Sequence, residues 1–110
     1  MTSPNLNPQP VEFRLERTIR VRWNGLESAG PLTIGPLRWL PERASWACYW
    51  SIHRVHPEEA KLYGEDPIQA LDITLHFLAK LIRGSIEDGI DMWWLDEGDE
   101  CGFRHDDRSG

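Results

Sequence analysis

The first strong pattern along the chain is an alternation. Val11, Phe13, Leu15, Ile19, Val21 and Trp23 share one parity, broken by Arg17, and Glu12, Arg14, Glu16, Thr18, Arg20 and Arg22 hold the other. Successive side chains of an extended chain point to opposite faces. A period of two therefore predicts a half-buried strand with one wet face, bent near Arg17 or split into two strands there. Asn24-Gly25 and Gly30-Pro31 follow as turn signals. Residues 32–40 are apolar but interrupted by Gly35-Pro36. Proline has no N–H to donate to a ladder, so an edge strand or two short extended pieces is expected there. Trp46, Cys48, Trp50 and Ile52 then alternate with Ala47, Tyr49, Ser51 and His53, which predicts a second strand with the first set on its core face. Residues 56–64 are polar and rich in turn formers, and read as a loop anchored by Leu62 and Tyr63.

From Asp66 the period lengthens to that of a helix. Asp66 suits the N-cap, and Pro67 suits the first helical position, where its missing N–H costs nothing. Ile68, Leu71, Leu75, Leu78 and Ile82 form an apolar stripe widened by Thr74, Phe77 and Leu81. Gln69, Asp72, His76, Lys80 and Arg83 line the other side, and Gly84 fits the C-terminal stop. A single apolar stripe has one face to bury, so the helix is expected to lie across a sheet. Asp88-Gly89 turns the chain into a last strand over residues 90–95. There Ile90, Met92 and Trp94 face the core, and Asp91, Trp93 and Leu95 face away. The fold expected is α+β: an antiparallel sheet of about four strands with one long amphipathic helix across one face, in the order β-β-β-α-β. The domain spans residues 11–103, between a disordered proline-bearing tail at 1–10 (Pro4, Pro8, Pro10) and a loose tail at 104–110.

Composition narrows the classes. A chain of 110 residues makes one domain that buries roughly two-thirds of its unfolded surface and folds without staples. It has no apolar run long enough to span a membrane, and its start, MTSPNLNPQP, has neither the charge nor the apolar core of a secretory signal. The two cysteines, Cys48 and Cys101, are too few for a disulfide framework and read as buried thiols in a reducing cytoplasm. Net charge is −6, divided unevenly: residues 1–54 carry +3 and residues 55–110 carry −9. Such an acidic half disfavours nucleic acid and anionic membrane as partners and suits a basic protein.

The candidate chemistry is thin. His53 and His56 stand three apart, but Pro57 follows at once and no HExxH or paired CxxC accompanies them, so no metal site is expected. Cys48 between two tryptophans on a core face is an inert thiol, and Cys101 stands next to the acids Asp99 and Glu100, which disfavour the thiolate. DEGDE lacks the alternating ligands of a calcium loop, and phosphate-cradling loops and serine elbows are absent. No cofactor is expected. What remains is aromatic and acidic. If the sheet face away from the helix is open, Tyr49, Ser51, His53, Asp91 and Trp93 are displayed on it, with Asp96, Glu97, Asp99 and Glu100 beyond. An aromatic centre amid polar and acidic groups is what a protein-binding hot spot needs.

One resemblance adds to this reading. The chain resembles a family of small bacterial proteins of unknown function that share a W-x-C-x-[YW] strand, a G-x-D-x-x-Q-A-L helix start and a C-terminal W followed by G-F. The matching positions are Trp46, Cys48, Trp50, Gly64, Asp66, Gln69, Ala70, Leu71, Trp94, Gly102 and Phe103, about half of the chain. The resemblance implies a small α+β protein with neighbours in toxin–immunity or defence settings. Its motif positions are cap, core and turn residues. The function expected is non-enzymatic protein binding, in concrete form an immunity-type protein covering a basic toxin domain through Tyr49, His53, Asp91, Trp93, Asp96, Glu97, Asp99 and Glu100. The alternative is a homodimeric structural or adaptor subunit joined through the same sheet face.

Overall fold

In a computed structural model that describes residues 11–94, the alternating first segment forms a single strand, Leu15–Trp23 (β1). Ile19 and Val21 are fully buried on one parity, whereas Glu16, Thr18 and Arg20 are exposed on the other. Arg17 does not break the strand, because its guanidinium lies 4.0 Å over the ring of Trp94 at the margin of the core. Asn24 and Gly25 both take positive φ (55° and 78°), as a type I′ hairpin turn requires, and lead into Leu26–Leu40 (β2). Then come Ser45–Ile52 (β3), His56–Gly64 (β4), Pro67–Glu87 (α1) and Asp91–Trp93 (β5). The sheet is antiparallel with the order β4-β3-β2-β1-β5. The chain is thus α+β with one helix across an antiparallel sheet, and the element order of the described residues is β-β-β-β-α-β, with five strands.

Two expectations about the strands need correction. β2 is the middle strand of the sheet, not an edge. Its prolines sit where no donor is missed. Pro31 accepts from His53 N at 3.0 Å, and because N–H and C=O of one residue point the same way, its missing N–H faces the place where β3 has ended. Pro36 sits in the register shift between Ile34 and Leu37. Beyond that shift Val11 and Leu37 exchange two backbone bonds of 2.8 and 2.9 Å, so the chain joins the sheet before β1 begins.

The second correction is β4, whose residues read as a loop. Ala60, Leu62 and Gly64 face the core beside Trp50, Cys48 and Trp46, and Glu59, Lys61 and Tyr63 point away. The first half of β4 has no apolar residue, so alternation there was invisible. Charge on an edge strand is what keeps it from pairing with a second chain.

α1 starts as its sequence predicts. Asp66 Oδ1 accepts from Gln69 N at 2.8 Å, and Gln69 Oε1 accepts in return from Glu65 N at 2.6 Å. Its buried line is Ala70, Thr74, Leu78, Ile82 and Ser85, flanked by half-buried Leu71, Leu75 and Leu81. Ile68, placed in the stripe from sequence, is 80% exposed. The helix is rotated because Gly64 and Ala70 let its first turn sit directly on β4: a Cβ on Gly64 would meet Ala70 N at 2.5 Å and Ala70 Cα at 2.8 Å. The helix also passes Gly84 and ends at Glu87. The left-handed residue that closes it is Gly89 (φ 100°), and Ile90 N then bonds to Ser85 O at 3.0 Å. α1 connects one sheet edge to the other, and the core lies between its inner line and Ile19, Val21, Leu32, Ile34, Leu37, Trp46, Cys48, Trp50, Ile52, Met92 and Trp94. Trp50 is flanked by His56 and Phe77, with ring centroids 4.9 and 5.3 Å away. Among the described residues no helix is long and apolar enough to cross a membrane.

Candidate functional site

Strand parity decides what the face away from α1 displays. The register places Arg20 and Arg22 of β1 beside Trp93 and Asp91 of β5, and Glu27 of β2 opposite Arg22. Farther across lie Thr33 and Arg38 of β2, Tyr49 and Ser51 of β3, and Lys61 and Tyr63 of β4. None of the other described elements packs on this face; the contacts of α1 are all on the opposite side.

Each aromatic residue of this face has a cation over it. Arg22 lies 5.0 Å from the Trp93 centroid, Arg43 lies 4.1 Å from Tyr63, and Arg38 and Lys61 flank Tyr49 at 5.9 and 5.7 Å. Ion pairs tie part of the set: Arg20–Glu27 at 3.0 Å, Arg22–Asp91 at 3.3 Å and Arg38–Glu12 at 3.0 Å. The hydrogen bond and charge of Glu12 raise the Arg38 pKa above its ordinary value. Thr33 and Ser51 share a 2.7 Å hydroxyl contact. Individually such surface pairs contribute little, but together they hold a flat, ordered surface.

The described residues among those singled out from sequence do not converge. Tyr49, Asp91 and Trp93 do lie on the open face. Tyr49 is on β3 and Trp93 on β5, with β2 and β1 between them. At about 4.8 Å per strand that is roughly 14 Å across the sheet, before any offset along the strands. Trp93 is also not displayed, being only 5% exposed, and its indole N–H is buried with no hydrogen-bond partner among the described residues. Asp96, Glu97, Asp99 and Glu100 lie outside the described residues. Sequence reasoning passed over Arg20, Arg22, Arg38, Arg43, Lys61 and Tyr63. The signal was present in the polar parity of β1, which was read only as a wet face.

His53 is on the other side of the sheet. Beyond the end of β3 its ring folds back over Gly30 and Ser28, whose register partners Ile19 and Val21 point toward the helix. His53 Nε2 and Ser28 Oγ are 2.8 Å apart, and Arg54 Nη1 donates to the same Oγ at 3.2 Å. Arg54 is a non-glycine residue at φ 70°, and its guanidinium is 5.7 Å from the ring of Trp23. Burial first, and the Arg54 charge second, lower the His53 pKa. The serine–histidine spacing is that of a nucleophile and base, yet Nδ1 lies against Gly30, and no carboxylate among the described residues bonds to it.

Burial raises the Cys48 thiol pKa, so Cys48 is poorly suited to nucleophilic work. Among the described residues no three His, Cys, Asp or Glu side chains gather to hold a metal ion. No curated protein and no solved structure matches the chain. Residues 15–105, which take in all five strands and the helix, match the family described as a domain of unknown function, DUF6968, and the chain belongs to that family.

Proposed function

We propose that this chain is a non-enzymatic protein-binding domain that works through its open sheet face. The observation that carries the reading is the set of aromatic rings beneath cations on a face that no other described element covers. Tyr49, Tyr63, Arg38, Arg43 and Lys61 are residue types that dominate binding energy when a partner excludes water from them. Arg43 and Lys61 have no carboxylate within ion-pair distance among the described residues, so this corner offers donors to acidic groups of a partner.

The specific form proposed is an immunity-type protein that neutralises a toxin domain. A basic toxin would be met by Asp96, Glu97, Asp99 and Glu100, next along the chain after β5. Opposite charges would speed the encounter and the aromatic rings would slow release.

The test is an affinity measurement on a partner captured from the native host, with three proteins compared. Tyr49→Ala/Tyr63→Ala should weaken binding at least about tenfold, chiefly through faster dissociation. Reversing the charge of Asp96, Glu97, Asp99 and Glu100 should slow association and flatten its dependence on salt. Unchanged affinity in both variants would remove the open face as the contact surface. A concentration-dependent dimer abolished by the tyrosine pair, with no other partner bound, would replace this reading with self-association.

A further inference from the structure

We propose that Arg54, Ser28 and His53 form a binding site for a phosphate group on the helix side of the sheet, where the β1–β2 and β3–β4 turns meet, separate from the open face. Two donors, the Arg54 guanidinium and the Ser28 hydroxyl, meet the His53 imidazole at one spot there. Ser28 Oγ is 3.2 Å from Arg54 Nη1 and 2.8 Å from His53 Nε2. An oxyanion that takes the serine hydroxyl is therefore within reach of the guanidinium fork and of the imidazole.

Two features are combined in Arg54 and in no other described arginine. Its hydrogen bond and ring contact are to neutral groups, Ser28 and Trp23, and no carboxylate lies within ion-pair distance among the described residues. Arg20, Arg22 and Arg38 each have one. The half-buried Arg54 charge is thus positioned but not neutralised. Its backbone also sits in the left-handed region, φ 70°, where a side chain is unfavourable and glycine is not. A turn that glycine would make more comfortably carries the residue with the most hydrogen-bond donors.

The neighbours fit the same ligand. Gly30 has no side chain, which leaves the space the His53 ring occupies. The local field is positive: after burial, the Arg54 charge is the second cause that lowers the His53 pKa. A phosphate dianion supplies the charge that a protonated His53 needs, so the imidazole becomes a third donor once the anion binds. A carboxylate brings half that charge and fewer acceptor sites. Beside the fork, Trp23 is 37% exposed and Leu26 is 67% exposed. They would cover a flat apolar group attached to the phosphate.

The experiment is a titration of the full chain with inorganic phosphate at constant ionic strength, followed by NMR of the His53 ring and the Arg54 side chain. Saturable shifts of both are expected, absent with chloride. Phenyl phosphate should saturate the same signals at about tenfold lower concentration. Arg54→Gly is the decisive variant, because it relieves the left-handed backbone while removing the fork. It should fold with undiminished stability and lose phosphate binding. Ser28→Ala should weaken binding at least about tenfold with the fold intact. Equal shifts with chloride, or phosphate binding retained in Arg54→Gly, would overturn the proposal.

Discussion

The imidazole of His53 lies against the backbone of Gly30, so closely that a Cβ on residue 30 would collide with Nδ1, Cγ and Cε1 of the ring. Nothing in local sequence links them, since 23 positions separate the two residues. Gly30→Ala should displace the ring and break the contact between His53 and Ser28, costing about 1 kcal/mol net. Alanine is otherwise favoured over glycine in a strand. In a His53→Ala background the same substitution should become neutral or stabilising by about 0.5 kcal/mol. Denaturant unfolding of the four proteins of this cycle measures the change of sign, and an equal cost in both backgrounds would contradict the contact.

Gly64→Ala tests a different close approach. The three atoms nearest the new Cβ are all backbone: Ala70 N at 2.5 Å, Ala70 Cα at 2.8 Å and Gln69 C at 2.9 Å. No side chain can swing away, so the first turn of α1 must lift off β4. The expected loss is about 2–3 kcal/mol, with faster amide exchange in the first turn of α1. A loss smaller than that of Gly30→Ala would mean that the helix is not seated on Gly64.

Trp93 is buried with an unpartnered indole N–H, and this separates two substitutions. Trp93→Ala should cost about 3–5 kcal/mol, as removal of a large buried ring does. Trp93→Phe removes the N–H without orphaning any acceptor and keeps a ring beneath Arg22, so its cost should stay below about 1.5 kcal/mol. Thermal unfolding of the two variants checks the difference. Any loss of partner binding in Trp93→Ala therefore has to be read against its stability, whereas Trp93→Phe reports on the surface.

His53 makes stability depend on pH in a fixed direction. Burial and Arg54 hold its folded pKa below the ordinary 6.5, so the unfolded chain takes up a proton first as pH falls. The contribution of neutral His53 is complete above about pH 6.5 and is lost progressively as pH drops toward the folded pKa. Tm should therefore fall less between pH 7.5 and 5.5 in His53→Gln than in the native sequence. Identical Tm profiles would show that His53 titrates alike in both states.

Much of the site was illegible for reasons specific to its residues. The alternation of β3 correctly put Tyr49 opposite the core. It misplaced His53, because the parity rule stops where the strand stops and the turn sends the ring back over Gly30. Parity also placed Trp93 on the correct face, but burial on that face depends on what neighbouring strands contribute. Arg22 comes from β1, distant in sequence, and stands over the ring. Sequence charge suggested an acidic surface, whereas the described face interleaves arginine, lysine and tyrosine from four strands with a few paired acids.

What the sequence by itself determined is everything that depends on near neighbours. The β1 alternation, the Asn24-Gly25 turn, the Asp66–Pro67 cap and the parity of Ile90, Met92 and Trp94 are set by steric and hydrogen-bonding rules acting over a few residues. Tertiary structure alone decided the central place of β2, the strand character of His56–Gly64 and the rotation of α1 that exposes Ile68. Each of these is an outcome of packing. A proline is tolerated where its missing donor has no acceptor to meet, a polar segment becomes a strand because Trp46, Cys48 and Trp50 need a cover, and a helix turns toward the side where glycine and alanine allow the closest approach.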